Sequence, residues 1–105
     1  MSDVIVVATF TARPGMGDTV EAGLQDVVAP THNEDGCLRY ALHRGIVDPD
    51  TLVFVERWTS TEALGAHAAQ PWVRGLSALA EQLVGPPRVE TFRAVPAGDP
   101  DKGLL

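Results

Sequence analysis

Two four-residue runs, Val4-Ile5-Val6-Val7 and Leu52-Val53-Phe54-Val55, are apolar at every position. Side chains of a strand point alternately to opposite faces, so each run presents apolar groups on both sides of the sheet that it joins. An antiparallel sheet with one face in water alternates apolar with polar residues instead. Both faces of this sheet therefore need a cover. The chain has 105 residues, one domain's worth, and at this length folding buries only roughly 60 to 65% of the surface of the unfolded chain. One layer of helices can cover one face, which leaves the other for a second copy packed sheet against sheet. A homodimer is expected.

The order of elements follows from periodicity and breakers. Val4 to Ala12 reads as a strand, closed by Pro14-Gly15. Asp18 and Glu21 have capping-box spacing, and Val20, Leu24, Val27, Val28 and Thr31 recur at helical intervals. This first helix should bend or end near Pro30. The turn His32 to Gly36 leads to a second strand, Cys37 to Val47, and Asp48-Pro49-Asp50 returns it as the antiparallel strand Thr51 to Trp58. Thr59 to Glu62 offers N-caps for a second helix, which Pro71 interrupts before Trp72, Leu76, Leu79, Ala80 and Leu83 resume the helical period. Gly85-Pro86-Pro87 breaks the chain before a last strand, Arg88 to Val95. The fold class is α+β, a ferredoxin-like βαββαβ arrangement with a four-stranded antiparallel sheet and both helices on one face. Residues 1–95 make the domain and residues 96–105 a polar tail.

Charge and motif content exclude several functions. Fourteen acidic residues against eight basic ones give a net charge of −6, and the seven Arg and Lys102 do not cluster. Nucleic acid and anionic membranes are disfavoured partners. Cys37 is the only cysteine, so there is no intramolecular disulfide and no CxxC zinc spacing. The N-terminus has neither a basic segment nor an apolar run of signal-peptide length, and the chain reads as cytoplasmic. No dinucleotide fingerprint, P-loop, HExxH or GxSxG is present, so no cofactor is expected through a known motif.

Among residues that can carry chemistry, His67 stands on the second helix three residues after Leu64, at the edge of the inward face. It serves either as a base at neutral pH or as a surface or capping residue. Glu56 and Trp58 share a strand face with Leu52 and Phe54. A buried carboxylate there needs a partner, and Arg44 across the hairpin is a candidate. Trp58 is either core or a flat wall for an aromatic ligand. Tyr40, on the parity of Leu38, reaches a pocket or the sheet edge; His43 is on the opposite parity and faces the second sheet. Trp72 either plugs the gap between helical pieces or gates a pocket. Cys37 reads as an inert small apolar residue.

Taken in order, Arg13-Pro14-Gly15, Glu34-Asp35-Gly36-Cys37-Leu38-Arg39-Tyr40, Val55-Glu56-Arg57-Trp58-Thr59-Ser60 and Glu62 to His67 resemble the antibiotic biosynthesis monooxygenase (ABM) domain family, which includes small quinol monooxygenases. The resemblance spans residues 4–95. It implies a dimeric α+β barrel and a cofactor-independent monooxygenase that oxidises a small quinol, anthrone or polycyclic phenol with O₂. In such chemistry the deprotonated substrate is itself the reductant, so the protein binds an aromatic, favours its anion and excludes water. The resemblance implies His67 and Trp58 as catalytic pocket residues, and Tyr40 and Glu56 match family positions; these two, with Phe54 and Trp72, are the expected substrate-binding residues. Haem-degrading relatives carry an Asn on the first strand and a His late in the second helical segment; Val7 to Phe10 and Trp72 to Leu83 lack them. A dimeric module that binds an aromatic metabolite without transforming it, or an isomerase of a small carbonyl compound with His67 as proton shuttle, are the alternative readings.

Overall fold

The computed structural model describes residues 3–105. Strands β1 (Val4–Thr11), β2 (Cys37–Arg44), β3 (Thr51–Trp58) and β4 (Arg88–Arg93) form one antiparallel sheet in the order β2-β3-β1-β4. Helices α1 (Gly17–Gln25) and α2 (Val28–His32) connect β1 to β2. Helices α3 (Thr61–Ala68) and α4 (Pro71–Arg74), then a 3₁₀ helix over Gly75–Gln82, connect β3 to β4. This is the ferredoxin-like βαββαβ fold, and no helix of the described residues is long and apolar enough to cross a membrane.

The face of the sheet toward the helices carries the core. Leu52, Phe54, Glu56 and Trp58 alternate with half-exposed neighbours along β3, and Val6, Ala8 and Phe10 stand opposite on β1. From the helix side Val20, Leu24 and Val27 complete the cluster. On the other face Val7, Val53 and Val55 are half-buried, and Phe92, paired with Ile5, is 48% exposed. The C-terminal end of the chain reaches this side, where Arg57 donates to the Leu105 carbonyl and Ile5 is buried, but the rest of the face is covered only in part.

Several local expectations change, each for a physical reason. The helix break falls at Asp26-Val27, ahead of Pro30. A continuous helix would set the Pro30 ring against the carbonyl of residue 26, whereas in the first turn of a new helix the missing N–H costs nothing. Asp18 does not cap α1. That role belongs to Asp50 of the β2–β3 hairpin, whose carboxylate accepts from the Gly15 and Gly17 N–H groups at 3.1 and 3.0 Å. A Cβ at Gly17 would lie 2.7 Å from the Pro49 carbonyl, which is why a glycine stands there.

Strand β2 ends at Arg44 rather than Val47, because the Gly45 N–H bonds to the Thr51 carbonyl at 2.8 Å and closes the hairpin. Ile46 and Val47 are left 99% and 100% exposed at its tip. The register shifts between Cys37 and Arg39, so Leu38 is an extra residue and Cys37 and Tyr40 share a face despite their opposite parity. The chain after Pro71 resumes as one α-turn and then a 3₁₀ helix instead of a long α-helix. At three residues per turn Leu76 and Leu79 stack on one side, and Leu79 packs closely on Gly23 of α1. The last strand stops at Arg93.

Candidate functional site

Between the sheet and the second helical segment lies a partly open cavity of about 680 Å³. Val6, Ala8 and Phe10 of β1, Tyr40 of β2 and Phe54 and Glu56 of β3 form its floor, and Leu64, His67 and Leu76 hang over it. The walls are mostly apolar. Its charged or titratable groups are Tyr40, Glu56 and His67, all nearly buried, and Arg13 and Arg74, both exposed.

The bulge in β2 puts Tyr40 opposite Glu56, and its ring stacks on Phe54 at 4.3 Å between centroids. Burial, reinforced by the nearby Glu56 carboxylate, raises the Tyr40 pKa well above the usual phenol range, so the ring stays a neutral phenol. Burial also raises the Glu56 pKa. The hydrogen bond from Trp58 and the nearness of His67 act against that rise, and Glu34 adds to it. The Trp58 indole N–H donates to Glu56 Oε1 at 2.9 Å, which leaves Oε2 as the oxygen able to hold a proton. The Arg44 partnership expected for Glu56 does not form. Arg44 lies opposite Leu52 and pairs with Asp18 and Glu21 of α1 at 2.6 and 3.4 Å.

His67 comes from the last turn of α3, a helix started by Ser60, whose Oγ accepts from the Ala63 N–H at 3.1 Å. Leu64 and His67 are three residues apart and share the face over the cavity. The His67 ring lies on Trp58, 4.6 Å between centroids, and meets Tyr40 edge-on at 5.2 Å. Its Nδ1 lies 2.9 Å from Glu34 Oε2, the side chains of both residues being 7% exposed. A carboxylate only accepts, so the proton sits on Nδ1 and Nε2 is the basic nitrogen. Nε2 has no hydrogen bond to the described residues, and the ring lines the cavity.

Glu34 is the residue that sequence reasoning missed. It belongs to the turn between α2 and β2, held by the Glu34 N–H to the Thr31 carbonyl at 3.0 Å and by Gly36 at φ +82°. The Gly36 carbonyl accepts from the Thr59 N–H at 2.9 Å, which docks the turn against the start of α3 and aims Glu34 at His67. The same Oε2 also accepts from the Trp72 indole at 3.1 Å. The one sequence signal was Gly36, a residue suited to a left-handed turn.

Of the six side chains singled out from the sequence, His67, Tyr40, Phe54 and Glu56 line one cavity. Trp58 and Trp72 do not line it. Trp58 is fully buried behind His67, and Trp72 is half-buried with its indole committed to Glu34. Each Trp thus holds a carboxylate rather than forming a wall. His43 faces the partly covered side of the sheet, opposite Val53. Burial, together with Glu34 and Glu56, raises the Cys37 pKa, which disfavours the thiolate. Among the described residues no group of three or more His, Cys, Asp and Glu is placed to hold a metal ion.

The signature of the family described as "ABM: Antibiotic biosynthesis monooxygenase" matches residues 3–78. The chain belongs to the ABM family. It is 34% identical over 93 residues to "Putative monooxygenase Rv0793" of Mycobacterium tuberculosis, covering 89% of this chain and 91% of that protein. The structure of Rv0793 superposes with a TM-score of 0.81 at 32% identity, covering 93% of this chain and 98% of that one. PA3566 from Pseudomonas aeruginosa gives a TM-score of 0.84 at 28% identity, covering 90% and 96%. The matched range spans Glu34, Glu56, Trp58, His67 and Trp72, and ends before the close of the 3₁₀ helix.

Proposed function

We propose that this ABM-family chain is a cofactor-independent monooxygenase that oxidises an anthrone, quinol or polycyclic phenol with O₂. The observation that carries the reading is the Glu34–His67 pair: a buried carboxylate behind Nδ1 of a histidine whose ring lines an apolar cavity that also holds Glu56. For an anthrone-type substrate, His67 Nε2 takes a proton from the ring methylene and leaves an enolate. The enolate transfers an electron to O₂, and the resulting pair combines into a carbon-bound peroxide. Loss of water from the peroxide gives the ketone, so that CH₂ and O₂ become C=O and H₂O, with the proton on His67 returned to the departing oxygen. Glu34 stabilises the imidazolium formed in the first step, as a carboxylate behind a catalytic histidine does. When it carries a proton, which burial favours, Glu56 donates to the enolate oxygen, and the apolar walls exclude water from the anion.

A homodimer completes this reading. The partly covered sheet face, with Val7, Val53, Val55 and Phe92, is the surface that a second copy would pack on. Light scattering at micromolar concentration is expected to give twice the 11.2 kDa of one chain. A folded species of single-chain mass would rule the dimer out.

The activity is tested by oxygen uptake with metal-stripped protein and anthrone or dihydroquinone substrates. Turnover above the spontaneous rate, reduced about 10² to 10⁴-fold in His67→Ala, is the expected result. Saturable binding with unaltered ligand recovered would instead mark a binding module. Product formed without O₂ would mark an isomerase.

A further inference from the structure

Charged groups of two kinds line the cavity. Glu56 and His67 are buried; Arg13, from the turn after β1, and Arg74, from the end of α4, are exposed. Neither arginine has an acidic partner within 4.0 Å among the described residues, whereas Arg44, Arg57 and Arg88 all do. Arg13 is anchored by one hydrogen bond, Nε to the Glu81 carbonyl at 2.9 Å, which leaves its two terminal amino groups free. Arg74 makes no side-chain hydrogen bond to a described residue.

In a chain with a net charge of −6, two guanidinium groups without acidic partners on the lining of an apolar cavity are local positive charges that attract an anion there. Between the buried and exposed groups the walls are apolar, so a ligand filling the space must itself be apolar in its middle. Guanidinium groups pair best with carboxylates, through two parallel hydrogen bonds.

We propose that the substrate is an aromatic acid: a fused-ring phenol or quinol whose hydroxyl end enters toward His67 and Glu56 and whose carboxylate, at the far end, pairs with Arg13 and Arg74. The orientation is thereby fixed, since the reverse placement would bury the carboxylate among apolar walls without either arginine. The proposal rests on the functional reading above for the identity of the reacting end, and on the two arginines alone for the anion.

Binding without turnover separates the two. Calorimetric titration is made with 6-hydroxy-2-naphthoic acid, which carries its hydroxyl and carboxylate at opposite ends, and with the uncharged 6-hydroxy-2-naphthamide. The acid is expected to bind about tenfold or more tightly than the amide, as charge-assisted hydrogen bonds imply, and its affinity alone should weaken as salt is raised. Arg13→Gln together with Arg74→Gln should abolish the preference while leaving the affinity for the amide unchanged, which also shows that the variant is folded. Equal affinities, no binding of either compound at millimolar concentration, or a preference that survives the double substitution would overturn the proposal. Preference for the acid with no oxygen uptake on any substrate would retain it and discard the oxygenase reading.

Discussion

Glu34 Oε2 and His67 Nδ1 lie 2.9 Å apart although 33 residues separate them, one in the turn before β2 and the other in the last turn of α3. Replacing Glu34 by Gln keeps a carbonyl oxygen able to accept from both His67 and Trp72 but removes the charge that stabilises an imidazolium. We expect kcat to fall about 10²-fold or more with KM little changed, by analogy with other carboxylate-backed histidines. Steady-state kinetics across pH is the check; an unchanged kcat and pH profile would mean that Glu34 only braces the turn.

Among the described residues the Trp58 indole is the one hydrogen-bond partner of the Glu56 carboxylate, and both side chains are nearly or fully buried. Trp58→Phe removes that donor and some volume, and should destabilise the fold by about 2 to 4 kcal/mol through an unpaired acceptor and a small void. Urea unfolding measures the loss. A cost under about 0.5 kcal/mol would show that water replaces the indole.

Burial raises the Glu56 pKa above its ordinary value of 4.5. Below that value the folded and unfolded chains both hold the proton. As pH rises through the window up to the raised value, the unfolded chain releases it first, so the stability associated with Glu56 is lost on going up in pH. Glu56→Gln cannot ionise and still accepts from Trp58. The Tm of the variant minus that of the wild type should therefore increase by a few degrees from pH 4 upward and then level off. Scanning calorimetry from pH 4 to 8 tests the sign, and a difference that shrinks with rising pH would contradict it.

Gly36 combines φ +82° with close neighbours: a Cβ there would lie 2.6 Å from the Ala63 Cβ and 2.7 Å from Thr59 Oγ1. Gly36→Ala is expected to cost about 1 to 3 kcal/mol through left-handed strain and the clash with α3. It should also lower activity more than an equally destabilising core substitution far from the cavity, because it displaces the turn that carries Glu34. Equal loss in the two variants would show that the turn does not position the site.

The order of strands and helices was readable from the chain alone because it rests on local rules. Val4 to Val7 and Leu52 to Val55 require a sheet with two covered faces, Ser60 starts α3, and alternation puts Phe54, Glu56 and Trp58 on one side. Periodicity also brought His67 to the inner face beside Leu64. The identity of polar partners was not readable, because it depends on which distant turns come together. Arg44 was free to meet Glu56 or Asp18 until the packing of α1 on β2 chose Asp18. One extra residue, Leu38, reversed the parity that links Cys37 to Tyr40. The two tryptophans were legible as large aromatics, and only tertiary structure made them hydrogen-bond donors to Glu56 and Glu34. Side-chain period is a property of a strand or helix by itself, whereas a buried carboxylate takes whichever donor the assembled fold brings within reach.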